Sequence, residues 1–378
     1  MACAVAAQAV TPEQADQAIA SYNKAFWNLP QKHFYKFDNK TGVLDFWMSA
    51  HAWETVMDAY ERTGKKEFLD QIALVYDGFI ARHTADWTRN DYNDDIMWWV
   101  LASARAYAIT GDKRYLTQAK TQFDWVWTNE RDSELGGGIW WKNSEHASKN
   151  SCVVQPAIIS AMLLAKGLAD DTYRVKAESL YAWQKRTLVE ATGKVYDKIS
   201  KDGSIAKGST TYNQGTWIGS AVLLGHLADA KKAADWTKAN LSNAQGILKV
   251  EGSTGQGDFG TFKLICVRYV VGLAKLEGNE TYAAWMEANA AEVWKNRRMS
   301  DGVMGFDWAN AAPATGIESQ SAAGGVALLN LLAKPSVEIR PVAKKVRNGT
   351  ELRVLPAGAS QWLFGEGARR ADGRGFPH

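Results

Sequence analysis

Residues 92–99 read YNDDIMWW, so two adjacent carboxylates, Asp94 and Asp95, stand in front of an apolar stretch. Over residues 96–109 the single charged side chain is Arg105. A helix that is apolar nearly all round is buried on most of its faces. The sequence therefore predicts a buried helix that begins at the aspartate pair, and the other helices are expected to pack around it.

The aspartate pair allows two interpretations. In the first, Asn93 or Asp94 caps the helix, because the exposed N–H groups and the positive end of the helix dipole favour carboxylates there. In the second, the pair performs catalysis. Consecutive helical residues differ by about 100° in direction, so their carboxyl groups diverge from nearly the same backbone point. A retaining glycosidase needs carboxyls roughly 5 to 5.5 Å apart and an inverting one roughly 6.5 to 9.5 Å, so adjacent aspartates suit retention.

In the catalytic interpretation, the surroundings give the two aspartates different protonation states. The helix dipole keeps one carboxylate ionised as a nucleophile. Its negative charge raises the pKa of the other carboxyl, which stays protonated as the acid.

Composition narrows the class of protein. The chain has 378 residues and is 46% hydrophobic, which is enough for one large domain or two ordinary ones. The net charge is only +3 and no long basic run occurs, so neither nucleic acid nor an anionic membrane is expected as a partner. No apolar run reaches the roughly 18 residues of a membrane span. The sequence thus predicts a globular protein that we expect to be a monomer.

The cysteines exclude two kinds of site, whereas the tryptophans favour one kind of ligand. The three cysteines, Cys3, Cys152 and Cys266, form no CxxC motif and no cluster with histidine, which excludes a disulfide framework and a thiolate zinc site. The 17 tryptophans exceed what packing at core spacing would use. An indole face suits stacking on the C–H face of a sugar, although each single tryptophan is more often a packing residue.

Hydrophobic periodicity predicts twelve helices. They lie at residues 11–27, 44–63, 65–84, 93–110, 112–129, 152–169, 171–190, 213–228, 230–246, 258–277, 279–297 and 316–333. The helices that begin at 93, 152, 213, 258 and 316 are rich in small residues and mostly apolar, whereas those between them are amphipathic. This alternation predicts an inner ring of buried helices inside an outer ring.

Short junctions with glycine support an array of helical hairpins. They contain Gly64, Gly111 and Gly278, with looser versions at residues 169–173 and 228–230. Glycine after a helix is typical of a C-cap that joins antiparallel helices. The remaining connections are longer: 28–43, 85–92, 130–151, 191–212, 247–257 and 298–315. If the hairpins alternate in direction, these long loops share one rim, where binding sites are usually built.

The two ends of the chain differ from this pattern. Residues 1–10 carry small residues in Ala-x-Ala order and are interpreted as the end of a signal peptide or a disordered start. Residues 11–333 form the predicted catalytic domain. Residues 334–378 are rich in Gly, Arg and Pro and are interpreted as an irregular or disordered tail, or as a segment added for expression. A secreted, periplasmic or cell-surface location is expected.

Four motifs together resemble glycoside hydrolase family 76. They are YNDDxxWW at 92–99, GGIWW at 137–141, Lys-Asn at 142–143 and again at 149–150, and YNQG at 212–215. The resemblance covers roughly residues 12–333. It implies an all-α fold, an (α/α)6 barrel of six inner and six outer helices. It also implies a retaining endo-α-1,6-mannanase, although fungal relatives of the family are thought to transglycosylate.

The resemblance implies roles for individual residues. Asp94 would be the nucleophile and Asp95 the general acid/base, acting on α-mannan or manno-oligosaccharides without a metal or other cofactor. Trp140, Trp141 and Tyr212 are expected to form groove walls, and Asn143, Asn213 and Gln214 to bind hydroxyl groups. The full set of expected substrate-binding residues is Tyr92, Asn93, Trp140, Trp141, Asn143, Asn150, Tyr212, Asn213, Gln214, Asp258, Phe259 and Glu318. For Asn213 and Glu318, a purely helix-capping role is equally compatible with the sequence.

Three alternatives stay open at this point. One fold hosts several chemistries, so another glycan-active hydrolase, a lyase or an epimerase on the same barrel is a rival; an epimerase would depend on a histidine such as His51 or His146. A diphosphate-binding terpenoid enzyme would need a further aspartate one turn on, where Trp98 stands instead. A non-catalytic glycan-binding protein would carry the same residues, and only release of oligosaccharides from mannan distinguishes it.

Overall fold

The computed structural model describes residues 9–336. The interpretations of residues 1–10 as a signal-peptide end or disordered start and of residues 334–378 as a tail fall mainly on residues 1–8 and 337–378, which lie outside the described residues. Within them, twelve α-helices follow one another. They are α1 (Pro12–Phe26), α2 (Phe46–Thr63), α3 (Lys66–His83), α4 (Asn93–Thr110), α5 (Lys113–Asn129), α6 (Ser151–Leu168), α7 (Thr172–Leu188), α8 (Thr211–Leu223), α9 (Leu227–Asn240), α10 (Asp258–Glu277), α11 (Glu280–Lys295) and α12 (Ser319–Leu332).

Short strands lie in the loops between these helices. β1 (Trp27–Asn28) pairs antiparallel with β2 (His33–Phe34). β4 (Lys198–Ser200) lies between β3 (Ser148–Asn150) and β5 (Ile205–Ala206) in a second antiparallel sheet. Because β3 and β4 come from different loops, this sheet ties two long connections together.

The helices close into two concentric rings. The inner helices α2, α4, α6, α8, α10 and α12 contact one another in that order, and α12 contacts α2 to complete the ring. The outer helices α3, α5, α7, α9 and α11 each pack on the inner helix that precedes them, and α1 packs on α12. The chain is an (α/α)6 barrel, as predicted. The sixth inner helix, α2, was not among the five small-residue-rich segments.

The helix junctions follow the predicted chemistry with one exception. Gly64, Gly111 and Gly278 end α2, α4 and α10 in the left-handed conformation, with φ of 65°, 74° and 60°. Only glycine adopts this conformation at little cost, which is why these junctions were readable in the sequence. The junction predicted at residues 228–230 is wrong. Helix α8 already ends at Leu223, Gly225 turns the chain with φ of 81°, and residues 228–230 lie inside α9.

Helix α6 is the one described helix that is long and apolar enough to cross a membrane by length and composition alone. It is 67% buried inside the barrel, between α4 and α8. Its apolar character therefore matches its place in the inner ring.

A cluster of charged side chains fills part of the barrel interior. Glu54, Asp58 and Glu61 of α2 lie against Arg105 of α4 and Arg268 of α10, and all five are at most 7% exposed. Arg105 contacts Asp58 at 2.5 Å and Glu61 at 2.6 Å, and Arg268 contacts Asp58 at 2.8 Å. The cluster fastens three inner helices to one another.

The long loops meet on one rim, as expected, and hydrogen bonds link several of them to one another. The backbone N–H of Asn143 donates to Asp91, linking loop 130–150 to loop 84–92. Thr211 binds the carboxylate of Glu251, and the N–H of Gly257 donates to Glu318. Phe37 forms a bridge with Glu318 and thereby brings the loop before α2 against the start of α12. The mouth of the barrel is thus framed by loops that hold each other.

Candidate active site

The aspartate pair lies in the first turn of α4, at the rim. The N-cap is Tyr92, so the interpretation that Asn93 or Asp94 caps the helix is wrong. Asn93 is fully buried instead. Its backbone N–H donates to the carbonyl of Trp141 at 2.9 Å, and its amide donates to the carbonyl of Trp140 at 3.0 Å. Asn93 therefore anchors the start of α4 to the next loop and has no surface left for a substrate.

Asn90 holds one of the two carboxyl groups directly. Its amide Nδ2 donates to Oδ2 of Asp95 at 2.8 Å. Its Oδ1 accepts the backbone N–H of Tyr92 at 2.9 Å, which orients the amide. The Asp94 carboxyl lies deeper, and its Oδ1 is buried without a hydrogen-bond partner among the described residues.

The electrostatic surroundings raise both carboxyl pKa values. Burial raises the pKa of Asp94, and the Cys152 thiol and the Trp141 indole oppose that rise only in part. Burial also raises the pKa of Asp95, and the negative charge of Asp94 raises it further, above that of Asp94. The groups that lower these pKa values most are neutral rather than cationic. The expectation that the helix terminus alone would fix an ionised nucleophile is therefore incomplete, because burial outweighs it.

Two more carboxylates act on the pair from the starts of other inner helices. Asp258 begins α10 and Asp45 precedes α2, and both charges add to the raised pKa of Asp95. Burial raises the pKa of Asp258 as well, and the indole of Trp47 opposes that rise. Lys36 pairs with Asp45 at 3.1 Å. The mouth of the barrel is thus a concentration of negative charge around Asp94 and Asp95.

Aromatic rings lie beside the carboxylates. Trp98 is one turn along α4 from Asp94, and its ring contacts His51 at 4.7 Å and Trp47 at 6.3 Å between centroids. Tyr92 is 38% exposed and contacts the ring of Trp141 at 5.3 Å. Rigid aromatic surfaces next to carboxylates are typical of sites that bind sugar rings.

Trp140 does not form a wall of the site. It has no exposed surface, its indole donates to Asp132 at 2.7 Å, and its ring stacks on His146 at 4.9 Å. The neighbouring Trp141 is only half-buried and lies near Asp94. Of the two adjacent tryptophans, Trp141 alone can contact a substrate.

The YNQG motif at the start of α8 is mainly structural. Gln214 is fully buried, and its amide binds the backbone of Val195, Gly193 and Ala233. Asn213 closes a capping box with Thr210. Asn213 is 1% exposed, and its Nδ2 has no hydrogen-bond partner among the described residues. Because both side chains are enclosed, the prediction that they bind hydroxyl groups is wrong for both.

Tyr212, the first residue of that motif, lies near the carboxylates. Its hydroxyl donates to Asp197 at 2.8 Å, and burial, with the nearby Cys152, raises its pKa. Its ring contacts Phe262 at 4.6 Å, which in turn contacts the 41% exposed Phe259 at 5.3 Å. The predicted residues Tyr212 and Phe259 are therefore joined through one aromatic cluster.

The other predicted residues hold loops together. Asn143 donates to the carbonyl of Asn90 at 2.9 Å, and Asn150 accepts a hydrogen bond from Ser148 at 2.7 Å. Glu318 is the N-cap residue of α12, 6% exposed, and accepts from the N–H of Gly257 at 2.6 Å. The Glu318 side chain makes no capping hydrogen bond to α12 and instead binds the Gly257 N–H and the Gln320 amide, so it joins two loops. Asn150 is 5% exposed and equally enclosed.

Sequence analysis missed several residues that the fold brings to the pair. They are Asn90, Cys152, Trp47, Asp45 and Asp197. Asn90 lies in a predicted rim loop just before the YNDDxxWW motif, and Cys152 lies at the start of α6 just after the second Lys-Asn motif. Their positions beside these motifs were the available signal. Trp47 and Asp45 carried none, because α2 was not recognised as an inner helix. Within residues 9–336, no three histidine, cysteine or acidic side chains converge as a metal site would require.

The chain is similar to a known protein family and to several solved structures. The family model described as Glycosyl hydrolase family 76 matches residues 9–341. The GH76A α-1,6-mannanase of Salegentibacter sp. HEL1_6 is 29% identical over 84% of this chain and 97% of that chain, with a TM-score of 0.78. An inactive variant of that enzyme, in which two consecutive aspartates are replaced by asparagine, has been solved with α-1,6-mannotriose.

Two further relatives agree with this match. A Listeria innocua protein of solved structure is 30% identical over 84% of this chain and 95% of that chain, with a TM-score of 0.77. A Schizosaccharomyces pombe protein whose name describes a mannan endo-1,6-alpha-mannosidase is 25% identical over 218 residues, which are 51% of this chain. The chain matches 48% of that curated relative's length.

Proposed function

Because the chain belongs to glycosyl hydrolase family 76, we propose that it is a retaining endo-α-1,6-mannanase with Asp94 as nucleophile and Asp95 as general acid/base. The observation that carries the proposal is the adjacent carboxyl pair at the barrel mouth, with both pKa values raised and that of Asp95 above that of Asp94. The inactive Salegentibacter mannanase variant, changed at two consecutive aspartates, supports the same pair.

The proposed first step uses the difference in protonation. Asp95 gives its proton to the glycosidic oxygen while a carboxylate oxygen of Asp94 attacks the anomeric carbon. The bond from that carbon to the glycosidic oxygen breaks, and the leaving sugar departs with the proton. The product on the enzyme is a β-linked mannosyl ester of Asp94.

Ester formation prepares the second step. Esterified Asp94 carries no negative charge, so the largest charge that raised the pKa of Asp95 disappears. Asp95 is then ionised and accepts a proton from water, whose oxygen attacks the anomeric carbon. The bond from that carbon to Asp94 breaks, Asp94 leaves as a carboxylate, and the released manno-oligosaccharide has the α configuration at its new reducing end. The coupling of the two carboxyls therefore serves both halves of the reaction.

Four of the half-exposed and exposed predicted residues are the proposed substrate contacts: Tyr92, Trp141, Asp258 and Phe259. Asn143 is also half-exposed, but its side chain binds the backbone of Asn90. Tyr212 and Asp197 lie next to the pair and complete the proposed wall on the α8 side. Two displacements at one carbon require two carboxyls and a water, so the proposal includes no metal or organic cofactor. We also propose a monomer that acts outside the cytoplasm, since the substrate is a polymer.

The deciding experiment is digestion of linear α-1,6-mannan, with products sized over time. An endo enzyme shortens the polymer early and releases a ladder of oligosaccharides, whereas transfer gives products longer than the added acceptor. Proton NMR of the first products should show the α anomer. If the protein binds mannan and releases nothing, it is a glycan-binding protein; if the β anomer forms first, the mechanism is inverting and the role of Asp94 is wrong.

A further inference from the structure

We propose that Asn90 is a positioning residue that holds Oδ2 of Asp95 as a hydrogen-bond acceptor and reserves Oδ1 for proton transfer. The inference rests on the proposed function of Asp95 as acid/base. Its basis is the 2.8 Å contact from Nδ2 of Asn90 to Oδ2 of Asp95, made across the short loop that leads into α4. No sequence motif of the family resemblance included Asn90.

The Asn90 amide is held so that it points in one direction. Its Oδ1 accepts the N–H of Tyr92 at 2.9 Å, which leaves only Nδ2 to face Asp95. Its backbone N–H donates to the carbonyl of Trp87 at 3.0 Å, and its carbonyl accepts the amide of Asn143 at 2.9 Å. Both backbone groups and the side-chain oxygen are thus occupied, so the amide cannot turn over without breaking other contacts.

The adjacent loop strengthens this support. Asn143 also donates its backbone N–H to Asp91 at 2.8 Å, and Ser144 binds the Asp91 carboxylate through its N–H and its hydroxyl at 2.8 and 2.9 Å. Asn143 was predicted to bind substrate. In the structure it supports Asn90 from behind, and its place in the mechanism is indirect.

A carboxyl oxygen that accepts an N–H cannot at the same time direct an acidic proton along that line. The proton of Asp95 therefore resides on Oδ1, which gives it to the glycosidic oxygen and later receives one from water. A donor also binds a carboxylate more strongly than a neutral carboxyl. Asn90 accordingly favours ionised Asp95, the form needed as base in the second step, and it lowers the pKa that burial and Asp94 raise.

Titratable groups from four inner helices or their starts surround the Asp94–Asp95 pair. Asp94 shares its helix, Asp45 precedes α2, Asp258 begins α10, and Cys152 of α6 lies beside Asp94. The Asp45 and Asp258 carboxylates also act against the ionisation of Asp95. The Asn90 amide is the side chain that opposes them.

The test compares two changes at one position. Asn90→Asp keeps an oxygen that accepts the N–H of Tyr92 and so preserves the loop, but it replaces the donor to Asp95 by an acceptor. Asn90→Ala removes both contacts. Asn23→Ala is the matched control, because its half-buried amide is bound to Gln71 at 3.0 Å on the outer helices, away from the mouth of the barrel.

Asn90→Ala should move the basic limb of the kcat/KM profile on mannan upward by about one pH unit, since the pKa of Asp95 rises when its donor is lost. Asn90→Asp should move it further, because it also places a like charge beside Asp95. On an aryl α-mannoside with a good leaving group, the second step limits turnover. There, kcat should fall about tenfold with a parallel fall in KM, because the mannosyl-enzyme accumulates. The Asn23→Ala control should shift neither the basic limb of the profile on mannan nor the kcat and KM measured with the aryl mannoside.

Carboxyl titration by 13C NMR, with Asp95→Asn used for assignment, measures the same pKa without any turnover. An unchanged Asp95 pKa together with an unchanged basic limb in Asn90→Ala, which adds no charge, would overturn the inference, even if mannan is cleaved. If the wild-type protein leaves mannan intact while the Asp95 pKa rises in both variants, the proposed function fails and the positioning role of Asn90 stands.

Discussion

Two groups of carboxylates on the inner helices of this barrel differ in their partners. In the interior, Glu54 and Asp58 of α2 face Arg105 and Arg268. Burial acts to raise the pKa of Glu54, but Arg268, His51 and Arg105 lower it to about 2. At the rim, Asp94 and Asp95 are enclosed as well, yet the groups that stabilise their charge are an amide, an indole, a thiol and backbone N–H groups.

The comparison shows that burial by itself does not make a carboxylate reactive. Where a guanidinium compensates for lost solvation, the carboxylate stays ionised across the working pH range and acts as structure. Where only neutral donors are present, the pKa rises toward the range in which a group exchanges protons with substrate. Glu61 lies between the two cases, since burial raises its pKa to about 7 although Arg105 contacts it.

The strongest way to test the comparison is to neutralise one carboxylate of the rim. Asp94→Asn should reduce turnover of mannan by about 10⁴-fold or more, equivalent to roughly 5.5 kcal/mol of barrier, because no nucleophile remains. The variant should still bind mannan and should unfold at the same or a higher urea concentration than the wild type. Turnover is followed as reducing ends released, and binding by calorimetry.

Two results would contradict this assignment of roles. Residual turnover within tenfold of wild type in Asp94→Asn would exclude Asp94 as nucleophile.

For Asp95→Ala, external azide should restore turnover of an activated aryl mannoside, since the small anion enters the space of the missing carboxyl. Failure of azide at every concentration would remove the support for Asp95 as acid/base.

Removing a cation from the interior should act on stability instead of chemistry. Arg268→Ala leaves Asp58 and Glu54 without one of their charged partners inside the barrel. The free energy of unfolding should fall by about 3 to 5 kcal/mol, as for other buried pairs that lose one member. Urea unfolding followed by circular dichroism measures the loss.

The matched control for that change is the double variant Arg268→Ala with Asp58→Asn. Neutralising the stranded carboxylate should recover part of the lost stability, because one uncompensated buried charge disappears. A double variant whose loss of stability equals or exceeds the sum of the two single losses would show that the interior charges are not coupled as the contacts indicate.

The two groups should also respond to pH in opposite directions. The Glu54 pKa is lowered in the fold, so its contribution to stability is present above the ordinary carboxyl pKa and is lost as pH falls toward about 2. The Asp94 and Asp95 pKa values are raised, so their contribution is present below the ordinary carboxyl pKa and is lost as pH rises through the raised values.

The double variant Asp94→Asn with Asp95→Asn measures that second effect. Its unfolding free energy should match the wild type near pH 4 and exceed it by on the order of 1 to 3 kcal/mol at pH 9. A difference that is constant across this range would mean that the two carboxyl pKa values are equal in the folded and unfolded chain.

The smallest effect is expected for an ion pair on the surface. Lys66 and Asp70 are four residues apart on α3, 2.6 Å from each other and largely exposed. Lys66→Ala should change the unfolding free energy by only about 0.3 to 0.5 kcal/mol, because water already solvates both charges. A loss above 1 kcal/mol in the same urea assay would contradict the view that burial, rather than pairing, sets the size of the effect.

Much of the fold was readable from the sequence because local chemistry and periodicity determine it. The apolar segments near residues 93, 152 and 258 are inner helices, and Gly64, Gly111 and Gly278 end helices as expected. The junction after α8 was missed because the residues that flank Gly225 do not repeat the sequence pattern of the other glycine junctions. The aspartate pair was also readable, since two carboxylates before an apolar run are conspicuous in any sequence.

The barrel, the rim of long loops and the adjacent carboxyls Asp94 and Asp95 could be predicted from the amino-acid sequence. Which polar residues of the rim are exposed at its mouth, and which, like Asn93, Gln214 and Glu318, are hydrogen-bonded to backbone groups of distant loops, is visible only in the folded chain. The contact of Asn90 with Asp95 and the raised pKa values of Asp94 and Asp95 also follow only from the folded chain. Helix periodicity is a local property, whereas hydrogen-bond partners and burial are set by segments that meet only when the ring of helices closes.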